Sequence, residues 1–265
     1  IAELAWNKLF LDSIPISTAT SGIVTVLDQL GIYKDNINLK ELITREESLN
    51  YSDEDIFEKA RIRSVYMTND PFNKEEWKLF DKSNWSRDLY KSTIRIDALL
   101  EMMRNNGLES FDNNLSYLNQ CLLKSNPKYI SISLGKIQLS LLLKNEYRKL
   151  MDWIEKTGLP FFIMLGVRRG VNKELKLAGD GLEDFSIEDL TNLLLKYKNI
   201  NFNISLLDET REHECRVLSR KMPNMKLTGY WWFVNNKTQI SDLLRKRFEM
   251  LGTKHLLFYS DSRVL

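Results

Sequence analysis

Two short stretches of this sequence combine an apolar run with residues that suit the binding of a charged sugar. Residues 226–233 read Lys-Leu-Thr-Gly-Tyr-Trp-Trp-Phe, and residues 259–263 read Tyr-Ser-Asp-Ser-Arg. Apolar runs of this kind are typical of β-strands. In a parallel barrel, active sites lie where the strands end. We therefore expect Asp261 and Arg263 to be catalytic, and Trp231 and Trp232 to contact the substrate.

Each of these residues also has a structural interpretation. Asp261 suits a base or a metal ligand, but it also suits the cap of a following helix. Arg263 suits bidentate binding of a substrate carboxylate, or an ion pair with Asp261. Because neighbours in a strand face opposite ways, one indole of Trp231 and Trp232 faces the barrel interior or its mouth, where it would stack on a sugar ring. Packing of both rings in the core is the alternative.

Three further candidates follow other apolar runs. Arg95 and Arg169 stand at the ends of predicted strands, where a guanidinium suits a substrate carboxylate; an ordinary surface or salt-bridged arginine is the alternative. Asp70 lies just after Thr68, where it would orient a substrate hydroxyl, although Pro71 makes a turn an equal interpretation.

The elements that must position these residues alternate between strands and helices. Seven strands are predicted by short β-branched or aromatic runs, at residues 61–68, 93–96, 129–134, 161–165, 201–206, 226–228 and 256–259. Helices are predicted by apolar spacing at residues 53–60, 115–123, 137–155, 187–197, 210–221 and 240–251. Ser52 with Asp55, and Ser186 with Asp189, match the capping-box spacing and mark two helix starts.

Such alternation predicts an α/β fold with parallel strands, either a (β/α)8 TIM-like barrel or a doubly wound sheet. No GxGxxG or GxxxxGK[ST] motif follows a strand, so the barrel is favoured. A closed barrel needs eight strands, and we count seven. We therefore expect the first strand and the last helix not to be present in this chain. Residues 1–265 are predicted to form a single barrel domain, with residues 1–60 a mainly helical insertion before the second barrel strand.

Composition excludes several function classes. The 265 residues contain 38 Lys and Arg against 36 Asp and Glu, with no basic block interleaved with aromatics, so nucleic acid is not an expected partner. No apolar run is long enough for a membrane span and no signal peptide opens the sequence, which favours a cytoplasmic protein without a membrane partner.

Cys121 and Cys215 have no CxxC partner and are expected to be buried hydrophobes. A homo-oligomer is compatible with these features.

Five motifs in this order resemble those of the uronate isomerases, a branch of the amidohydrolase barrels. They are Thr68-Asn-Asp-Pro71, Arg95-Ile-Asp97, Met164-Leu-Gly-Val-Arg-Arg169, Gly229-Tyr-Trp-Trp-Phe233 and Ser260-Asp-Ser-Arg263. The resemblance implies an amidohydrolase-type barrel and reversible aldose-ketose isomerisation of D-glucuronate or D-galacturonate. That reaction moves a proton between adjacent carbons through an enediolate, and it needs a base, oxyanion stabilisation and cations for the carboxylate.

The resemblance also bears on the metal. The family's His-x-Gly motif has Met164 in place of its histidine here, and its Asp-His falls at Ser133-Leu134. A thioether is a poor ligand for a divalent ion such as zinc. Two expectations for the cofactor follow. Either a divalent metal such as zinc is bound, with Asp261 as a ligand, or there is no cofactor, because the histidine ligands are missing. A metal-free relative that binds or scaffolds a small sugar acid without turnover is the alternative function.

Overall fold

The computed structural model describes residues 1–11, 17–82, 85–207, 209–229, 234 and 236–256. The candidates Trp231, Trp232, Asp261 and Arg263 lie outside these residues. The chain divides into two compact units, Ile1–Ser64 and Val65–Val264. No helix of the described residues is long and apolar enough to cross a membrane.

The first unit is helical in its described residues. Its elements are α1 (Ala2–Trp6), a π-helical turn (Asn7–Leu11), α2 (Thr18–Gln29), α3 (Leu39–Glu47) and α4 (Asp53–Ala60). Its core contains Trp6, Ile32, Ile37 and Leu42, and the Trp6 indole N–H donates to the Ile37 carbonyl at 2.8 Å. The predicted capping box at Ser52 is confirmed, since Ser52 and Asp55 exchange hydrogen bonds at the start of α4.

The second unit is built on a parallel sheet. Its strands are β1 (Val65–Asn69), β2 (Tyr90–Arg95), β3 (Ile130–Leu134), β4 (Phe161–Leu165), β7 (Phe202–Leu206), β8 (Met225–Thr228) and β9 (His255–Leu256), with the short pair β5 (Val167–Arg168) and β6 (Gly181–Leu182) between β4 and β7. The seven long-sheet strands lie side by side in chain order, all parallel. Sequential parallel strands joined by helices form the predicted TIM-like α/β fold.

Helices follow most of these strands. They are α5 (Lys74–Lys82), α6 (Asp97–Asn106), α7 (Glu109–Ser125), α8 (Lys136–Leu141), α9 (Arg148–Thr157), α10 (Ile187–Lys196), α11 (Glu212–Lys221) and α12 (Lys237–Leu251). The prediction of one helix over residues 137–155 is wrong. The Leu142, Leu143 and Lys144 amides bond three residues back, so α8 tightens and ends, and the 3-10 turn Asn145–Tyr147 separates it from α9.

The strands separate two sets of side chains. On β3, Ile130, Ile132 and Leu134 join the large core shared with the helices. On β4, Phe162 and Met164 alternate with the core residues Phe161, Ile163 and Leu165 and so face the barrel interior. There they pack with Tyr129, Val167 and Leu207. β4 is buried on both faces and reads as a continuous apolar run, Phe-Phe-Ile-Met-Leu. β3, Ile-Ser-Ile-Ser-Leu, and β7, Phe-Asn-Ile-Ser-Leu, instead alternate apolar and polar residues.

Candidate functional site

Charged side chains collect where the first strands of the sheet end. Asp70 follows β1, Arg95 is the last residue of β2, and Asp97 is the first residue of α6. Arg169 follows β5, the short strand directly after β4. Parallel strands bring their carboxyl ends to one rim, which is where sites form in this fold.

Arg95 and Asp97 form a two-pronged ion pair. Arg95 Nε donates to Asp97 Oδ2 at 2.8 Å, and Arg95 Nη2 donates to Asp97 Oδ1 at 2.9 Å. Between them Ile96 is fully buried, so the chain turns from strand to helix with both charged side chains on the rim. Ser133, on β3, adds its hydroxyl as an acceptor for Arg95 Nη2 at 3.3 Å and its N–H as a donor to Asp97 Oδ1 at 3.3 Å. The planar guanidinium is therefore held in one orientation.

Arg169 reaches the same aspartate from another element. Its Nη2 lies 3.5 Å from Asp97 Oδ1, and its Nη1 donates to Asp180 Oδ2. The Arg169 side chain is 45% exposed, whereas Asp180 is 8% exposed. Asp97 thus joins two arginines that are 74 positions apart in the sequence.

The surroundings of Asp70 disfavour its charged form. Its Oδ1 accepts from the Phe72 N–H at 2.9 Å, which is the predicted turn, and its own N–H donates to Glu76 Oε1 at 3.0 Å. Burial raises the pKa of Asp70, and the Asp97 charge raises it further, while the hydrogen bond from Phe72 and the Arg95 charge oppose the rise. Burial also raises the pKa of Glu76, with a contribution from Asp70. The two carboxyl groups therefore hold protons more readily than ordinary ones.

The arrangement suits recognition of an anion with several oxygens. Two guanidinium groups are fixed by shared carboxylates, and the exposed one presents donors at the rim. Fixed donors of this kind bind a carboxylate bidentately and stabilise negative charge that develops on an adjacent oxygen.

Similarity to known proteins is found among solved structures. No family model and no curated protein matches the sequence. Among solved structures, a uronate isomerase from Bacillus halodurans matches with a TM-score of 0.88 and 27% identity, covering 99% of this chain and 67% of its own.

Two more distant structures agree on the fold. A uronate isomerase from Thermotoga maritima matches with a TM-score of 0.72 and 14% identity over 95% of this chain and 68% of its own. A glucuronate isomerase from Caulobacter crescentus matches with a TM-score of 0.70 and 15% identity over 93% of this chain and 64% of its own. This chain therefore spans about two thirds of the length of these isomerases.

The described residues do not provide a site for zinc or a similar ion. No group of three His, Cys, Asp or Glu side chains gathers among them. His213 is exposed on α11 with its Nδ1 3.4 Å from Arg216 Nη2, and His255 is buried on β9. Met164, at the position where the uronate isomerase motif has histidine, is 2% exposed in an apolar cluster. Asp261, the predicted ligand, lies outside the described residues.

The structure places three predicted residues, Arg95, Arg169 and Asp70, at one rim. It also adds partners that the sequence did not indicate. Asp180 is 11 positions from Arg169 and meets it only because the chain folds back between β5 and β6. Glu76, in the first turns of α5, reaches the Asp70 backbone. Asp97 was visible in the Arg95-Ile-Asp97 motif, but the motif did not indicate that it would join a second arginine.

Proposed function

We propose that the protein is a uronate isomerase-type enzyme that interconverts the aldose and ketose forms of D-glucuronate or D-galacturonate. One observation carries the proposal: the structure matches the Bacillus halodurans uronate isomerase along 99% of this chain at 27% identity. The charged cluster at the carboxyl ends of the strands supports it, because a sugar acid needs cations in that position.

The reaction transfers one proton between neighbouring carbons of the open-chain sugar acid. A base removes the proton from C2, the electrons move toward the C1 oxygen as an enediolate forms, and a proton returns to C1. The hydroxyl proton passes from O2 to O1, so the product is the 2-ketose. In this proposal Asp261 is the base, and Arg263 binds the carboxylate or the enediolate.

The remaining candidates take the supporting roles in this proposal. Arg169 and Arg95 bind the substrate carboxylate and the developing oxyanion, since both are held by Asp97 at the rim. Asp70 accepts a hydrogen bond from a substrate hydroxyl, and Trp231 and Trp232 supply an indole for the sugar ring. If a divalent metal is bound, we propose that Asp261 is one of its ligands.

The test is turnover by the full-length protein. D-glucuronate and D-galacturonate are each incubated with the protein in D2O, with and without added zinc, and followed by proton NMR. We expect ketose signals to develop for at least one of them. Asp261→Asn should abolish them and Arg95→Met should weaken them. Arg245→Met, which alters an exposed residue on α12, serves as the control and should leave turnover unchanged.

No turnover of either uronate under any of these conditions would overturn the proposal. A uronate that raises the melting temperature without being converted would instead match the metal-free binding protein that the sequence left open.

A further inference from the structure

Asp180 occupies an unusual position between the backbone and a guanidinium. Its Oδ1 accepts from the Gly170 N–H at 2.8 Å, and its Oδ2 accepts from Arg169 Nη1. The carboxylate therefore fixes the peptide that follows Arg169 and the end of the Arg169 side chain together. Its side chain is 8% exposed, so solvent competes little for these bonds.

The segment that carries both residues is fastened to the sheet at its base. β5 and β6 pair antiparallel, with Val167 opposite Leu182 and Arg168 opposite Gly181. Continuing this register places Arg169 opposite Asp180, at the point where the ladder opens into a loop. Gly166 N–H donates to the Leu134 carbonyl at 3.0 Å, and Glu183 N–H donates to the Gly166 carbonyl at 3.0 Å.

The loop beyond the pair is exposed, in contrast to its base. Val171 and Leu175 are 57% and 56% exposed. Gly170 has a φ of +64°, a left-handed conformation that an L side chain would strain. The Asp180 carboxylate thus holds the turn at the base of this exposed segment, which contains the 3-10 helix Lys173–Gly179, and Arg169 extends from that turn toward Asp97.

The two aspartates act on Arg169 differently. Asp97 lies 3.5 Å from Arg169 Nη2 and already receives both donors of Arg95. Asp180 has Arg169 as its guanidinium partner among the described residues, and it binds the other Nη atom. Asp180 is therefore the contact that sets the direction of Arg169, while Asp97 receives its far side.

From this geometry we infer that Asp180 is a positioning residue that orients Arg169 toward the carboxylate of a bound sugar acid, without itself touching the substrate. The inference rests on the proposed function for the identity of the ligand. A guanidinium that is oriented before binding loses less freedom when it pairs with a carboxylate, so Asp180 should act mainly on affinity.

The test compares Asp180→Asn with wild type and with Asp184→Asn. Asp184 is an exposed aspartate that lies two residues after β6 and pairs with Arg211. Its variant therefore controls for the loss of a nearby charge. We expect Asp180→Asn to raise KM for the uronate about tenfold while kcat stays within about twofold, because one charge-assisted hydrogen bond to the binding arginine is weakened. Asp184→Asn should leave both constants unchanged.

A double substitution separates positioning from general damage to the fold. In the Arg169→Met background, adding Asp180→Asn should weaken binding no further, since Asp180 acts through Arg169. Binding of D-glucuronate is measured by calorimetry for all four proteins, together with their melting temperatures. Additive losses, or an unchanged KM in Asp180→Asn, would overturn the inference while leaving the isomerase proposal intact.

The calorimetry also covers a wild-type protein that has no turnover. If it binds the uronate and Asp180→Asn weakens that binding about tenfold, the inference stands without the isomerase activity. If wild type neither converts nor binds a uronate, the inference and the proposed function fail together.

Discussion

Replacing Arg247 by methionine should remove more stability than any surface change in this protein. Arg247 on α12 and Glu212 on α11 form an ion pair in which both side chains are 2% exposed. Arg247 Nε and Nη2 donate to the two Glu212 oxygens at 2.7 and 3.1 Å, and Nη1 donates to the Gly229 carbonyl at 3.0 Å. The pair therefore links two helices to the carboxyl end of β8.

The magnitude follows from what the substitution leaves behind. Arg247→Met would leave the Glu212 carboxylate buried without its cation, which costs about 3–5 kcal/mol in comparable cases. The Gly229 carbonyl would also lose a donor. We expect the free energy of unfolding to fall by about 4 kcal/mol, which at an m-value near 3 kcal/mol/M shifts the urea midpoint by about 1.3 M.

Two further variants make the assay specific. Arg245→Met removes an arginine of the same helix that is 68% exposed and 3.3 Å from Asp242, so it should cost less than about 1 kcal/mol. Arg247→Met combined with Glu212→Met replaces the pair by apolar groups of similar volume and should recover most of the loss. Urea unfolding followed by circular dichroism measures all three. An Arg247→Met loss no larger than that of Arg245→Met would refute the reasoning.

Three other predictions follow from the described residues. Asp70→Asn should raise the melting temperature more at pH 7 than at pH 4. The pKa of Asp70 is raised above 3.8 in the folded state, so the wild-type protein loses stability as the pH rises from the unfolded-state pKa through the folded-state pKa, whereas the asparagine variant does not. Equal shifts of the melting temperature at the two pH values would contradict this. Cys121 and Cys215 are buried, and burial raises the pKa of the Cys215 thiol, so Ellman's reagent should detect neither thiol in the native protein and both in urea. Gly135→Ala should destabilise the protein by about 1–3 kcal/mol, because its Cβ would collide with the Glu183 carboxylate that accepts the Lys136 N–H and would lie 2.8 Å from the Val167 backbone carbonyl; an unchanged urea midpoint would contradict this.

Most of the strand pattern was predictable from sequence because the strands are short runs rich in apolar and β-branched residues, continuous in β4 and alternating with polar residues in β3 and β7. The strand predicted at residues 161–165 has the bounds of β4, and residues 201–206 and 226–228 differ from β7 and β8 by one residue. The prediction at residues 61–68 began too early. Arg61 ends α4 in a left-handed conformation, with a φ of 54°, so the strand cannot begin until the chain has left that turn.

The short elements were not predictable in the same way. β5 and β6 have two residues each, which is too few for any periodicity to show. Their pairing nevertheless brings Asp180 to Arg169. The helix α5 was also missed, although Glu76 on it bonds to the Asp70 backbone. The sequence could indicate the two arginines and the Asp97 beside Arg95, but the partners of Arg169, Asp97 and Asp180, depended on how the chain folds back.

The balance of charge in the cluster bears on how a sugar acid would bind. Arg95 and Arg169 contribute two positive charges, and Asp97 and Asp180 contribute two negative ones. These four charges balance, and the neighbouring Asp70 and Glu76 add no positive charge. Long-range attraction of an anion is therefore weak, so recognition must come from the direction of the donors. Arg169 makes one contact through each Nη atom, yet its side chain is 45% exposed and a guanidinium has five N–H donors. The carboxylates therefore act less as competitors for the arginines than as supports that fix where the remaining donors point.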